Sequence, residues 1–198
     1  MAKRLIDLLL AALGLIVLAP LLLAAMAWVR VDSPGPVLFR QERVGRGGRT
    51  FRIHKLRTMF VDAASHGPAV TELDDRRITR AGRTLRRYRI DELPQLIDVI
   101  AGHMSLVGPR PELPRFVAQY PPDLRERVLA MRPGITDPAA LEFADEAELM
   151  AGSADPERTY VEVILPRKLR RQAEYALRAS WASDLAVIVR TLRMLAQR

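Results

Sequence analysis

The chain has 198 residues, with 31 Lys+Arg against 23 Asp+Glu for a net charge of +8, and almost half of its residues are hydrophobic. That is enough apolar content for one domain with a core, which excludes a disordered polycation. It has no cysteine, which excludes a disulfide framework and any thiolate-bound zinc or iron–sulfur site.

The apolar residues are not evenly spread: from Leu8 to Val29 there are 22 residues without a charge. As a helix this run is about 33 Å long, against about 30 Å for the hydrocarbon core of a bilayer. An ordinary soluble protein is therefore not the default reading. Lys3-Arg4 and Ala25-Met26-Ala27 resemble the ends of a secretory leader, but the apolar run exceeds the ~7–15 residues typical of one. Pro20 sits mid-run, where it removes a helical hydrogen bond, although membrane helices tolerate such prolines. Lys3 and Arg4 precede the run and Arg30, Arg40 and Arg43 follow it. A straight span puts one basic cluster outside, against the positive-inside tendency, whereas a helix broken at Pro20 that enters and leaves by one face satisfies both. Charge and proline alone leave the kinked span and the re-entrant hairpin open. In either case the following domain belongs in the cytoplasm. That domain, residues 31–198, holds 28 basic and 22 acidic residues, a balance suited to an anionic lipid surface or a phosphorylated substrate.

Val31-Asp32-Ser33-Pro34-Gly35-Pro36 forms a turn-rich exit. Two short segments, Val37 to Gln41 and Thr50 to Lys55, are separated by Gly45, Gly47 and Gly48, and their alternation predicts a small β-hairpin. A polar loop follows Met59 up to Asp75. Seven arginines and no acid lie between Arg76 and Arg89, and seven acids and no base between Asp137 and Glu157. Leu93, Leu96, Ile97 and Ile100 share one helical face, and that helix ends at Gly102. Pro109 and Pro111 stiffen a loop around Arg110. A short helix is expected from about Asp123 to Met131, and two more from Arg167 to Ala179 and Trp181 to Gln197. In the last, Trp181, Leu185, Ile188, Leu192 and Leu195 form a stripe suited either to core packing or to a membrane surface.

No Walker A loop, nucleophile elbow, H-E-x-x-H or D-x-D motif occurs, and His103-Met104-Ser105 is an ordinary loop histidine beside a serine. The strongest constellation is Arg86 to Gln95, with Asp91-Glu92-Leu93-Pro94-Gln95 at a helix start. Asp91 is an N-cap candidate, with Pro94 in the first turn. Capping alone accounts for such a dipeptide. The same placement, with arginines upstream, also suits an ionised carboxylate that attacks phosphorus, and its neighbour Glu92 could position a metal or handle a proton.

Gln41-x-Arg43-x-Gly45, Lys55-Leu56-Arg57-Thr58-Met59, Asp91-Glu92-Leu93-Pro94-Gln95, Gly102 to Pro111 and Arg132-Pro133-Gly134-Ile135-Thr136 occur in an order and spacing that resembles the bacterial sugar transferases, monotopic polyprenyl-phosphate phosphoglycosyl transferases. The resemblance runs from Lys3 to about Thr136 and is to the small, catalytic-core form. It implies transfer of a sugar 1-phosphate from a UDP-sugar to polyprenyl (undecaprenyl) phosphate with release of UMP. It further implies a covalent aspartyl intermediate at Asp91, Glu92 as its partner, Mg²⁺ held at Asp91, and a re-entrant helix broken at Pro20. The expected fold is α+β and mainly helical, with a membrane helix over 1–30, a catalytic domain over 31–198, and amphipathic interfacial helices.

Arg86 and Arg110 are the foremost candidates for phosphate or nucleotide-sugar binding, followed by Lys55, Arg57 and Arg132, because a diphosphate under cleavage needs cations and arginine offers a fixed fork. The expected place is the cytoplasmic face of a bacterial inner membrane, among anionic lipids, with downstream glycosyltransferases as further partners. Three features depart from the family pattern: Ala19-Pro20 where Ser-Pro is common, His103 where an acid often stands, and Asp137 to Phe143 after the Ile-Thr pair. The third puts the identity of the sugar in doubt. A cationic membrane scaffold without catalysis is the alternative, against which the joint retention of Arg86, Asp91, Glu92 and Arg110 argues. An RNA binder would need aromatic stacking platforms, and only Tyr88 lies in the arginine run, so no nucleic-acid partner is expected.

Overall fold

Helix α1 extends from Ala2 to Asp32 with Pro20 inside it. It opens a computed structural model that describes residues 2–63, 67, 70–71 and 75–197. The expected break is thus not an end to the helix. A proline deletes one backbone hydrogen bond, and an apolar environment gives the rest of the ladder every reason to persist. Asp7, Ala11, Leu22, Ala25 and Val29 are buried, and Gly14 and Leu15 lie on the same side. This spacing is one helical face, and it packs on the rest of the chain from end to end. Ala11 lies against Leu96 and Val99, and Ala25 and Val29 against Leu56 and Leu85. The opposite face is apolar and open, with Leu13, Ile16, Val17 and Leu23 each more than half exposed. The helix is long and apolar enough to cross a membrane.

Both ends of α1 are tied to the same body. Near its start, the Arg4 guanidinium donates to the Val99 and Ile100 carbonyls, and Asp7 accepts from the Ser105 hydroxyl and the Leu106 N–H. Lys3 pairs with Asp184. At its end, Asp32 accepts from the Ala81 N–H at 3.0 Å.

The predicted hairpin forms from β1 (Leu38–Val44) and β2 (Thr50–Leu56), antiparallel with Leu38 opposite Leu56 and Val44 opposite Thr50. The connection is a 3-10 turn at Arg46–Gly48 in which Gly47 and Gly48 have φ of 68° and 78°, backbone that glycine adopts without strain. The expected loop after Met59 falls partly outside the described residues. The arginine run, for which no element was expected, forms α2 (Arg80–Arg87), capped by Thr79, whose side chain accepts from the Gly82 N–H. Gly82 is obligatory there: a Cβ would lie 2.1 Å from the Thr58 carbonyl oxygen. The helix expected around Leu93 to Ile100 is α3 (Gln95–Ala101), closed by Gly102 in the left-handed region. Asp98 on α3 takes the His54 N–H at 2.8 Å and the His54 ring at 2.8 Å, fastening α3 to β2.

A parallel pair then forms that sequence pattern did not reveal, β3 (Ser105–Val107) with β4 (Gly134–Thr136). Three-residue strands are too short to show alternation. Between them lie α4 (Pro114–Val117) and α5 (Pro122–Ala130). The acidic segment forms α6 (Pro138–Glu142), α7 (Glu146–Leu149) and α8 (Pro156–Thr159). A π-helical turn at Tyr160–Ile164 leads into α9 (Leu165–Arg178), and α10 (Trp181–Ala196) follows. The main core lies among α4, α5, the π turn and α9, with Phe116, Val128, Ile164 and Leu169 buried. The acids pair with bases on two other helices: Glu142 with Arg171 at 3.1 Å and Glu146 with Lys168 at 2.9 Å on α9, and Glu157 with Arg115 at 2.8 Å on α4. On α10, Val187 is buried and Ile188 packs inward, while Trp181, Leu185 and Leu192 stay exposed.

Candidate active site

The constellation from Arg86 to Gln95 folds into a sharp corner. Arg89 takes φ 53°, the one non-glycine residue with positive φ among those described. This conformation is uncommon for a side chain with a Cβ and concentrates at functional sites. It turns the chain out of α2 into a 3-10 turn, Ile90–Glu92, that presents Asp91 and Glu92 side by side at 2% and 5% exposure. Asp91 is therefore not the N-cap of α3, which begins after Pro94. Tight turn bonds, Leu93 N–H to Ile90 and Leu96 N–H to Leu93, satisfy donors that a cap would otherwise take. The carboxylate is not used as a cap.

The two carboxylates have different partners. Lys55 Nζ lies 2.9 Å from Asp91 Oδ2 and 3.2 Å from Glu92 Oε1. Arg110 grips Glu92 with both terminal nitrogens, Nη1 to Oε2 at 3.2 Å and Nη2 to Oε1. Asp91 Oδ2 is buried and accepts no well-directed hydrogen bond, so its contact with Lys55 is an ion pair of charges rather than an aligned bond. Burial raises the Asp91 pKa, opposed by the Lys55 charge and assisted by that of Glu92. Glu92 is also penalised by burial, but the Arg110 and Lys55 charges overcome this and hold it well below the usual carboxylate range. One member of the pair is thus pinned as an anion, and the other sits where its charge is less well compensated.

Arg86 reaches this place from α2, with Nε 2.8 Å from Thr58 Oγ1 and Nη1 3.0 Å from Thr71 Oγ1. Arg110 is fixed from behind. Its backbone N–H donates to Asp137 Oδ2 at 2.8 Å, and the same Asp137 caps α6 through the Ala140 N–H and accepts from Gln172. Asp137 was missed in the sequence, although Asp137-Pro138 is a helix-start signature that could have flagged it.

Lys55, Arg86, Asp91, Glu92 and Arg110 all line one cleft of about 1120 Å³. Arg57 borders it too, but its guanidinium is spent: Nε donates to the Pro36 carbonyl at 2.6 Å, and Nη1 and Nη2 to Ser33 at 2.7 and 2.8 Å. It clamps the exit of α1. Arg132 is not brought to the cleft and donates to the Gly102 carbonyl at 3.1 Å. His103 stacks on Phe51 with ring centroids 5.6 Å apart, and Ser105 is bonded to Asp7, so these two form no nucleophile and base. Arg43, Glu112, Tyr160 and Lys168 join the cleft wall without having been expected there, because the contacts that tie the other three to Glu112 span 48 to 69 positions of sequence.

Mg²⁺ is commonly held by one or two carboxylates together with substrate phosphates; Asp91 would supply one, its buried Oδ2 accepting no aligned hydrogen bond but facing the Lys55 ammonium at 2.9 Å, while Glu92 is gripped by Arg110. Among the described residues no cluster of three His, Cys, Asp or Glu side chains occurs that would hold a metal without such phosphates.

Residues 1–198 match the family described as bacterial sugar transferase. A UDP-N-acetylgalactosamine-undecaprenyl-phosphate N-acetylgalactosaminephosphotransferase of Aeromonas hydrophila is 37% identical over 96% of this chain and 43% of its own length. A putative undecaprenyl-phosphate N-acetylgalactosaminyl 1-phosphate transferase of Bacillus subtilis is 43% identical over 60% of this chain and 66% of its own. A UDP-glucose:undecaprenyl-phosphate glucose-1-phosphate transferase of Caulobacter vibrioides is 39% identical over 96% of this chain and 68% of its own. The chain thus spans between about two fifths and two thirds of the length of these relatives. On the match over its whole length and on these identities, the chain belongs to the bacterial sugar transferase family.

Proposed function

We propose that this chain transfers a sugar 1-phosphate from a UDP-sugar to a polyprenyl phosphate, undecaprenyl phosphate in the relatives' names, with Asp91 as nucleophile. The observation that carries this reading is Asp91 Oδ2, buried and without an aligned donor, among Lys55, Arg86 and the Glu92–Arg110 pair in one cleft. The Asp91 carboxylate attacks the phosphorus next to the sugar, the bond to the bridging oxygen breaks, and UMP leaves. The lipid phosphate then attacks the aspartyl phosphosugar, and polyprenyl diphosphate sugar leaves as Asp91 is restored. Lys55 and Arg86 stand where they counter charge that builds on the phosphate oxygens, which is where fixed cations act most strongly. Mg²⁺ held at Asp91 would supply further neutralisation of the diphosphate.

The same cleft serves both substrates. Its edge by the α1 exit is apolar, with Leu38, Phe39, Phe60 and Val61 exposed, and suits an isoprenoid chain. Helix α1 enters and leaves the membrane by the cytoplasmic face of the inner membrane. Its two ends being fastened to one cationic body supports this over a span, since a domain that lies on one side of the membrane keeps both ends of the helix on that side. The exposed Trp181, Leu185 and Leu192 of α10, with Arg190 and Arg193 nearby in sequence, suit an anionic lipid surface. Downstream glycosyltransferases would take up the lipid-linked product.

The test is to follow UMP release from purified protein with Mg²⁺, undecaprenyl phosphate and a panel of UDP-sugars. Turnover on at least one donor, lost in Asp91→Asn, is expected. A wild type inactive on every donor overturns the reading.

A further inference from the structure

Beyond Arg110 the cleft wall carries a charged group that phosphoryl transfer does not use. Glu112 is buried and accepts a hydrogen bond from the Tyr160 hydroxyl. It lies 3.7 Å from Arg43 Nη1 and 3.5 Å from Lys168 Nζ. Lys168 Nζ also donates to Tyr160 Oη at 3.1 Å and to Glu146 Oε2 at 2.9 Å. Three acceptors therefore take the three ammonium protons, and Lys168 has nothing left to offer a ligand.

Glu146 is the open member. Its side chain is 37% exposed, against 5% for Lys168 and 8% for Glu112. Only Oε2 is engaged among the described residues, which leaves Oε1 without a donor. Glu146 lines the same cleft as Asp91, and its charge together with that of Glu112 acts on Arg110. It thus stands close to the phosphate-binding cations without being one of their partners.

A carboxylate so placed repels phosphate. It suits instead the neutral, hydroxyl-rich parts of a nucleotide sugar, whose hydroxyls donate strongly to an ionised acceptor. We propose that Glu146, held in place by Lys168, accepts hydrogen bonds from a vicinal diol of the donor, on the transferred sugar or on the ribose, and is a specificity-determining contact. This rests on the transferase reading above and adds the recognition of the polyol. Lys168 is its positioning residue.

Steady-state kinetics of UMP release separate the outcomes. Glu146→Gln is expected to raise KM for the UDP-sugar about tenfold, the scale of a lost charge-assisted hydrogen bond, with KM for undecaprenyl phosphate unchanged and only a small loss in melting temperature, because Gln keeps an oxygen for Lys168. Donor analogues then locate the diol. The analogue lacking the contacted hydroxyl, a 2′-deoxyuridine diphosphate sugar or a UDP-sugar deoxygenated at one carbon, loses about tenfold with wild type and nothing more with the variant. An unchanged donor KM overturns the proposal, as does a penalty equal for every analogue. A KM raised for both substrates together with a lowered melting temperature assigns Glu146 to folding and also overturns it. A wild type that turns over no donor overturns the transferase reading itself, a result distinct from any of these.

Discussion

Glu92 and Arg110 meet fork to fork, Oε2 3.2 Å from Nη1 and Oε1 against Nη2, with Lys55 on the same carboxylate at 3.2 Å. This pairing divides labour between two adjacent buried acids. Glu92 draws the bidentate arginine and becomes a fixed anion that aims the Arg110 guanidinium. Asp91 meets the same Lys55 at 2.9 Å but accepts no aligned hydrogen bond at that Oδ2.

Removing the Glu92 charge costs stability in a pH-dependent way. Its pKa is depressed in the folded chain, so its contribution is full above the unfolded value of about 4.3 and is lost as pH falls through the folded one. Glu92→Gln should destabilise at pH 7 by about 2 kcal/mol, less than the ~3–5 of a wholly buried pair because Lys55 and Arg110 retain some contact with water. Denaturant melts of both proteins at pH 7 and below pH 4 check this. The difference should shrink at acid pH, and a constant difference would sink the assignment.

For Asp91 the sign is reversed. Burial raises its pKa, so keeping it charged at neutral pH works against folding, and that penalty begins to lift as pH falls through the folded value and is gone below the unfolded one of about 3.9. Asp91→Asn should hold or raise the melting temperature at pH 7 while transfer falls by more than about 10³-fold. A destabilised Asp91→Asn would make the residue a structural one.

How much of this was legible in sequence follows from distance along the chain. The hairpin, α3 and its Gly102 stop, α5, α9 and α10 rest on local periodicity and turn residues, and they stand within a few residues of expectation. Asp91, Glu92, Lys55, Arg86 and Arg110 were singled out by residue type and share the cleft. Arg57 and Arg132 belonged to the same motifs, but motif membership does not say which way a guanidinium points. Ser33 and Pro36 capture one, and Gly102 the other. The acidic segment was opaque because its partners, Arg115, Lys168 and Arg171, come from elsewhere in the chain.

The two arginines nearest these questions should part company on mutation. Arg57→Lys loses a fork that one ammonium cannot imitate and should cost about 2 kcal/mol, with KM for the UDP-sugar unchanged when assayed below the melting temperature. Arg86→Lys should do the opposite, cutting turnover with a smaller loss of stability, since it keeps a charge facing Asp91 but not the planar geometry. Equal effects on KM from both would return Arg57 to the binding site.

The membrane arrangement can be read by labelling, because the chain has no cysteine of its own. Ala2, the first residue of α1, and Pro34, just past its end, are exposed, whereas Ser33 is buried in the Arg57 clamp and is a poor probe position. In an Ala2→Cys or a Pro34→Cys variant, an impermeant maleimide should leave the thiol untouched in intact cells and modify it in inverted vesicles. Lys3→Ala combined with Asp7→Ala removes the N-terminal fastening to Asp184, Ser105 and Leu106. If those contacts hold the start of α1 on the cytoplasmic side, position 2 in this background should begin to label from outside while position 34 does not. Outside labelling of position 2 in the otherwise unaltered chain would mean that α1 crosses the bilayer, and the re-entrant arrangement would be lost.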